Sequence, residues 1–201
     1  MSELEVAGSD IYLQPSVVFE QGRKYMVCAS SGHGKTSLLN FIYGINNSFD
    51  GNVYLTEDGE RGTENGLEHL RTKVLSFMFQ DLALFPELTA MENVQLKNRL
   101  TGYKNDSEIV QMLDALLPEG KKNQPVATLS LGQRQRVAAV RALCQPFKFI
   151  LMDEPFSHID SENARRLAAI VMDEVQRQGA GLIVTALDRI DYFSFDVTLN
   201  L

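Results

Sequence analysis

Short apolar runs alternate with longer amphipathic segments along this 201-residue chain. Four of the runs are bounded by polar or turn residues, as expected for buried strands. These predicted strands cover residues 24–28, 74–79, 147–152 and 181–185. Their short length and mostly apolar composition favour a sheet that is covered on both faces.

The segment between the last two predicted strands has the spacing of an amphipathic helix. Apolar residues recur along 164–175 at three- and four-residue intervals, and Gly179 follows as a stop signal. A strand, a helix and a second strand in this order form a βαβ unit. We therefore predict an α/β fold with a mostly parallel sheet flanked by helices.

Residues 82–129 carry helical patterns, such as the one over residues 107–117, but no convincing strand. We interpret this region as a helical lobe inserted into the α/β core. A polar, glycine-bearing stretch over residues 56–66 is predicted to be a loop.

Composition narrows the class of protein. With 44% hydrophobic residues, the chain can bury one sizeable core but leaves little room for a second independent domain. Its net charge of −7 would repel a polyanion such as DNA. The densest basic stretch, Arg134, Arg136 and Arg141, is interpreted as a solvated helix face.

Cys28 and Cys144 fall in predicted core elements, which favours a reducing compartment with two core thiols over a disulfide or metal site.

The longest apolar runs fall well short of the roughly 20 residues that cross a bilayer. The N-terminal sequence MSELEVAGSD lacks the basic and apolar regions of a signal peptide. We therefore expect a soluble cytoplasmic chain.

A glycine-rich stretch, ASSGHGKTS, lies between the first predicted strand and an apolar run over residues 38–42. A strand, a loop ending in Gly-Lys-Thr and a helix form the context of a phosphate-binding P-loop; the alternative is a chance glycine turn before a helix. Lys35 would reach the β- and γ-phosphates, and the Thr36 hydroxyl would ligate Mg²⁺. The predicted nucleotide-binding residues here are Ala29, Ser30, Ser31, Gly32, His33, Gly34, Lys35, Thr36 and Ser37.

The predicted strand 147–152 leads into two acids, Asp153 and Glu154. The carboxyl end of a strand is where an open α/β sheet binds ligands. Asp153 would hold Mg²⁺ through water, and Glu154 would polarise the attacking water as general base. The plainer alternative is a pair of acids that caps a strand end in solvent.

The stretch LSLGQRQRVAAVRAL, residues 129–143, resembles the Leu-Ser-Gly-Gly-Gln signature of ATP-binding cassette (ABC) ATPases at four of five positions. The P-loop, Gln80 in FMFQD, the signature, the acid pair and SHID over residues 157–160 follow one another as in that family. The chain therefore looks like an ABC transporter ATPase subunit. Its stretch LFPELTAMENV is most similar to the group that serves lipoprotein release, macrolide-type export and cell-division permeases.

The resemblance implies a P-loop NTPase fold in a single domain over residues 1–201. Residues 1–81 and 145–201 would form the nucleotide-binding core, and 82–144 would form a helical subdomain that carries the signature. It also implies ATP and Mg²⁺ as cofactors. The catalytic residues would be Glu154 and Gln80, and the metal-binding residues would be Thr36, Gln80 and Asp153.

The resemblance further implies that two subunits pair head to tail, with each nucleotide between the P-loop of one and the signature of the other. Ser130, Gly132 and Gln133 would bind this nucleotide across the interface, near Asp160. The homo- or heterodimer would serve a transmembrane permease at the inner face of the cell membrane, without nucleic acid. The apolar run 82–94 would line the permease groove or pack the helical lobe.

Three departures from the family bear on turnover. Ala186 replaces the switch histidine, and Ala29 stands where the P-loop pattern opens with glycine. Few residues precede the P-loop, so Tyr12 is either the aromatic that stacks on adenine or a strand residue. His33 and His158 either compensate for the missing imidazole or are tolerated variation.

These features leave two function classes. In the favoured class, the chain hydrolyses ATP and powers a membrane transporter. In the other, it binds nucleotide, hydrolyses it poorly and regulates or scaffolds a partner. An ABC-type protein that acts on DNA or ribosomes is disfavoured, because the sequence has no coiled-coil insertion, second cassette or basic surface.

Overall fold

The computed structural model describes residues 9–30, 32, 34–46, 50–54, 56–57, 60–61 and 66–201. The strands of this part of the chain are β1 (Lys24–Cys28), β2 (Thr56–Glu57), β3 (Glu60–Arg61), β4 (Leu75–Met78), β5 (Phe149–Asp153), β6 (Gly181–Ala186) and β7 (Val197–Asn200). Five of them form a parallel sheet in the order β4-β5-β6-β1-β7, and β2 and β3 form a separate antiparallel pair. The predicted parallel sheet is confirmed.

The α-helices of the described residues are α1 (Lys35–Ile42), α2 (Gly66–His69), α3 (Ala90–Asn98), α4 (Asp106–Leu116), α5 (Leu131–Ala142) and α6 (Ser161–Gln178). Thr89, Asn105 and Ser130 begin α3, α4 and α5 with capping boxes, which satisfy backbone N–H groups at the helix starts. The predicted helix over residues 107–117 is confirmed, shifted by one residue. None of the described helices has the length and apolar character needed to cross a bilayer.

The βαβ unit is formed by β5, α6 and β6. Asp160 caps the start of α6, and Gly179, with a φ of 58°, ends it in the left-handed conformation that glycine adopts easily. The helix buries its predicted apolar stripe, and the two strands pair in parallel. This unit places the loop after β5 and the end of β6 at the same edge of the sheet.

The sheet is covered on both faces, as its apolar strands predict. Ile150 and Met152 of β5 belong to a core cluster that includes residues of α3–α6, whereas Leu151 between them belongs to a second cluster with Leu38 and Leu39 of α1. Alternate residues of a strand point to opposite faces, so β5 joins both cores.

The strand predictions differ from the structure in detail. The strand 24–28 is confirmed at both ends, and the other three shift by one or two residues at one or both ends. Phe147 is buried in the core but precedes β5. The predicted loop 56–66 contains the two-residue strands β2 and β3. The strand β7 was not predicted; it has four residues at the edge of the sheet, alternates in burial and pairs with β1.

Residues 82–129 form no strand, in agreement with the prediction, although Thr89 and Pro125 make an isolated bridge. The basic stretch of α5 is not a solvated face, and that interpretation was wrong. Arg136 is 8% exposed and donates to the Gly132 carbonyl and to Asn163. Its aliphatic stem and paired guanidinium therefore belong to the packed side of the helix.

Candidate functional site

The loop between β1 and α1 depends on glycines. Gly34, the residue before α1, has a φ of 88°, and Gly32 has a φ of 84°. Side chains rarely adopt this region, so these positions require glycine for conformational reasons alone. Ser31 and His33, which were also predicted to bind the nucleotide, lie outside the described residues. Ser37 lies half-buried in the first turn of α1.

Lys35 is almost fully buried, at 5% exposure. Its Nζ donates to the carbonyls of Ala29, at 2.7 Å, and Ser30, at 3.1 Å. The same atom lies 3.4 Å from Oε1 of Glu154. The ammonium group is thus held between the glycine loop and the end of β5, where a phosphate bound by the loop would meet a positive charge.

Three oxygen-bearing side chains converge at the start of α1. The Thr36 hydroxyl lies 2.6 Å from Oδ2 of Asp153 and 3.0 Å from Oε1 of Gln80. A hydroxyl has one proton and cannot donate to both acceptors at once. A hydroxyl, an amide oxygen and a carboxylate at these separations are the hard oxygen ligands that Mg²⁺ prefers, so the residues present fit that ion.

A cavity of about 600 Å³ opens beside these oxygens. Phe77 and Phe79 form part of its apolar wall, and Asn40 and Asp81 are among its polar lining. The cavity brings the predicted metal-binding residues to a surface that a ligand can reach.

Asp153 and Glu154 are not a solvent-exposed cap, and the structure excludes that alternative. Asp153 is 1% exposed, and its Oδ1 accepts from the Thr185 hydroxyl at 2.5 Å. Glu154 has a φ of 48°, and its N–H donates to the carbonyl of Thr185 at 3.2 Å. A non-glycine residue in this region carries backbone strain, which is common at functional sites.

The signature residues form a second group. Ser130 is exposed and caps α5, where its hydroxyl accepts from the N–H of Gln133 while Gln133 Oε1 accepts from the N–H of Ser130. A Cβ on Gly132 would lie 2.4 Å from the His158 carbonyl oxygen. Gly132 therefore allows the start of α5 to approach the 154–158 segment closely. Asp160 caps α6, and hydrogen bonds from Asn163 hold the pKa of its carboxyl below the ordinary value.

Two residues that the sequence analysis missed connect these groups. Thr185 bonds to both acids, and it lies opposite Asp153 in the register of β5 and β6. Gln135 of α5 is 3% exposed and donates to the Glu154 carbonyl at 2.8 Å. A polar residue within an apolar strand is the sequence signal for Thr185, whereas Gln135 stands in the polar run QRQR and gives no such signal.

The two alanines that depart from the family pattern, Ala29 and Ala186, lie next to each other. The Ala29 N–H donates to the Ala186 carbonyl at 3.2 Å, and both alanines are buried. Ala29 is not among the described non-glycine residues with positive φ, so its Cβ causes no left-handed strain. Exposed His158 contacts its neighbour Ser157 through Nδ1.

Tyr12 does not lie in a strand, which excludes that alternative for it. It lies in a turn, where its N–H is bonded to Ser9, and its hydroxyl is 3.5 Å from the Gly34 carbonyl oxygen. Burial raises the pKa of this hydroxyl. The structure thus places Tyr12 beside the glycine loop.

The segment after Gln80 is held by hydrogen bonds from α5. Leu82 and Ala83 have φ values of 63° and 46°, and Arg141 donates to both of their carbonyls. Within residues 82–94, Leu82 is 7% exposed and packs in the core, whereas Phe85 is 55% exposed. Packing explains part of this run, and Phe85 leaves part of its apolar surface accessible.

Comparison with known proteins places this site in a family. The family model described as "ABC transporter" matches residues 13–157. The ABC transporter ATP-binding protein YclH of Bacillus subtilis (strain 168) is 30% identical over 177 residues, which cover 86% of this chain and 77% of that protein. The lipoprotein-releasing system ATP-binding protein LolD of Saccharophagus degradans is 34% identical over 172 residues, covering 83% and 75%.

Similar solved structures belong to the same family. The dimeric structure of MJ0796, described as a bacterial ABC transporter cassette, has a TM-score of 0.74 and 28% identity and covers 86% of this chain and 78% of that one. A dimeric post-hydrolysis state of the same cassette, bound to ADP and Pi, has a TM-score of 0.73 and 29% identity over the same shares of the two chains. With a glycine loop, an acid pair and a capped signature helix arranged as described, the chain belongs to the ABC transporter family and is an ABC-type ATP hydrolase.

Proposed function

We propose that this chain is the subunit that binds and hydrolyses ATP to power an ABC membrane transporter through ATP-driven dimerisation. The observation that carries the proposal is the meeting of Lys35, Thr36, Gln80, Asp153 and Glu154 at one edge of the sheet. A cation and a metal site are needed there to bind a triphosphate, and a general base is needed to activate the attacking water.

Each group has a separate role in this proposal. Backbone N–H groups of the loop over residues 29–37 and the Lys35 ammonium would bind the phosphates. Thr36, Gln80 and Asp153 would hold Mg²⁺, which neutralises phosphate charge when bound. Glu154 would take the proton of the attacking water, and Gln80 would help to orient that water.

Dimerisation would complete the site. Ser130, Gly132 and Gln133 lie at the start of α5, where the helix dipole attracts anions. We assign to them the γ-phosphate of the nucleotide held by a second subunit, with Asp160 near the interface. The dimeric MJ0796 structures, one bound to ADP and Pi, support this arrangement.

A transmembrane permease is the proposed partner, with the chain at the cytoplasmic face of the membrane. Residues 1–81 and 145–201 would be the nucleotide-binding core and 82–144 the helical subdomain. Exposed Phe85 makes residues 82–94 the proposed docking region. The similarity to LolD supports a place in the group that serves lipoprotein release and related exports.

The substitution Glu154→Gln tests this function. Removing the base while keeping the phosphate-binding groups should let the variant bind ATP and accumulate as a stable dimer, since hydrolysis no longer releases it. Size-exclusion chromatography with Mg·ATP measures this, with Mg·ADP as control. A variant that stays monomeric with Mg·ATP at high protein concentration would contradict the proposal.

A second candidate, a poorly hydrolysing regulatory or scaffolding subunit, is favoured by one observation. Ala186 carries only a methyl group where the family has an imidazole, and that methyl is buried beside Ala29. Steady-state ATP hydrolysis, with and without a co-purified permease, separates the two functions. ATP-dependent dimers without turnover in either condition would favour the second.

A further inference from the structure

The side chain of Gln135 joins the signature helix to the segment that follows β5. Its Nε2 donates to the Glu154 carbonyl at 2.8 Å and to the Ser157 hydroxyl at 3.2 Å, and its Oε1 accepts from the His158 N–H at 3.2 Å. The residue is 3% exposed. A primary amide has two protons to donate, so both are used within this one segment.

The same segment touches α5 a second time. The backbone of His158 lies so close to Gly132 that a Cβ there would be 2.4 Å from the His158 carbonyl oxygen. Gly132 and Gln135 lie three residues apart, about 4.5 Å along the helix axis. These contacts therefore fix the position of the first turns of α5 relative to residues 154–158.

Glu154 needs such support. Its φ of 48° is strained for a residue with a side chain. Thr185 holds its N–H through carbonyl and hydroxyl contacts, and Gln135 and Ser157 hold its carbonyl. Hydrogen bonds on both sides of the residue fix the backbone from which its carboxylate projects.

We propose that Gln135 is a positioning residue that couples the two nucleotide sites of the dimer. This inference rests on the proposed function, in which the start of α5 binds the partner's nucleotide while Glu154 acts on the chain's own. Gln135 transmits the position of α5 to the Glu154 backbone, so the base is aligned for one ATP when the signature of the same chain has engaged the other.

The test replaces Gln135 with methionine, which has a similar length and cannot form these hydrogen bonds. The matched control is Gln145→Met. Gln145 is also fully buried and donates to a backbone carbonyl, that of Leu75, but it does not contact residues 154–158 through its described hydrogen bonds. Both variants lose a buried amide, so thermal unfolding reports the loss of stability common to both.

Three measurements define the expected result. Calorimetry with Mg·ATP should give an affinity for Gln135→Met within about twofold of that of the control, because the P-loop is untouched. ATP-dependent dimerisation of Glu154→Gln should be unchanged when Gln135→Met is added. Steady-state kcat of Gln135→Met should fall about tenfold to a hundredfold below that of Gln145→Met, the range that a misplaced catalytic group costs.

Gln135→Glu provides a second variant. It retains the acceptor for the His158 N–H but places an oxygen against the Glu154 carbonyl, so kcat should fall as it does for methionine. A kcat for either Gln135 variant equal to that of Gln145→Met would overturn this inference alone. If Glu154→Gln does not dimerise with ATP or the wild-type chain does not hydrolyse ATP, the proposed function fails and this inference with it.

Discussion

Single residues at the end of β5 and the start of α5 determine how closely the two elements approach. Gly132 leaves room for the His158 carbonyl, and Glu154 adopts a left-handed backbone conformation that neighbouring hydrogen bonds hold in place. At this scale Gly132 has a packing function in addition to the phosphate-binding role that the signature predicts. The two functions are compatible, because one depends on the missing Cβ and the other on the N–H.

The substitution Gly132→Ala tests whether the close contact at Gly132 outweighs the higher helix propensity of alanine. Alanine is the better helix former by about 1 kcal/mol, but the clash at 2.4 Å involves a backbone carbonyl that cannot rotate away. We expect a net loss of about 1–3 kcal/mol in the free energy of unfolding, as for other overpacked sites. Turnover should fall about tenfold, because the 154–158 segment must shift.

Denaturant unfolding and steady-state hydrolysis measure these effects, and Gly120→Ala is the control. Gly120 has a φ of 78° and no atom within 4 Å of the position that a Cβ would occupy, so its variant is strained without a clash. It should lose about 1 kcal/mol of stability and keep wild-type turnover. Wild-type turnover in Gly132→Ala would show that the close contact is not needed.

Among the elements, α6 is tied to the helical lobe by a buried ion pair. Lys104, just before α4, places its Nζ 2.5 Å from Oε2 of Glu174, and both side chains are 4% exposed. Tyr103, Arg177 and Gln178 also donate to the Glu174 carboxylate. This cluster joins the segment between α3 and α4 to the helix of the βαβ unit.

Glu174→Gln should be strongly destabilising. It leaves the Lys104 ammonium buried, with Glu108 at 4.0 Å as its remaining described carboxylate neighbour. Removing one partner of a buried pair costs about 3–5 kcal/mol. The control is Glu162→Gln on the same helix, whose exposed partner is Arg166, and it should cost about 0.5 kcal/mol or less.

The pH dependence of stability checks the same pair. Burial raises the pKa of Glu174, but hydrogen bonds from Lys104 and Tyr103 outweigh it and hold the pKa below the ordinary value of 4.5. A lowered pKa contributes stability above 4.5 that is lost as the pH falls through the folded-state value. Unfolding midpoints of wild type and Glu174→Gln should therefore converge as the pH falls below 4.5. A constant difference would contradict the assignment.

For the whole molecule, the sheet supports two cores and presents the site at the carboxyl ends of its strands. Lys35 and Thr36 extend from α1, Asp153 from the last position of β5, Glu154 from the residue after it, and Gln80 from the segment after β4. Because these elements are distant in sequence, a nucleotide that binds them all stabilises the tertiary fold as a unit.

Binding of Mg·ATP should therefore raise the unfolding temperature. A ligand at a hundred times its Kd adds about 2.7 kcal/mol to the free energy of unfolding. Lys35→Ala should lose most of this shift and most of the ATP affinity, whereas Lys73→Ala, at an exposed site, should keep both. Differential scanning and titration calorimetry measure the two quantities. Unchanged ATP binding by Lys35→Ala would exclude the phosphate-binding role of the loop.

Local stretches of the sequence specify the parallel strands, the helix caps, the glycine loop and the acid pair. Each of these is set by residues adjacent along the chain, through burial periodicity, capping and backbone conformation. The strands β2 and β3 escaped detection, because two residues are too few for a period to be recognised. The edge strand β7 has the sequence VTLN, in which polar residues alternate with apolar ones and leave no apolar run.

Which distant residues meet depends on the tertiary fold. The Thr185 contact with Asp153 follows from the register of β5 and β6, and the Gln135 contact with Glu154 follows from how α5 packs on the segment after β5. Ala29 and Ala186 likewise became neighbours through the pairing of β1 and β6. Register and packing depend on the combined burial of many side chains, which no local stretch of sequence encodes.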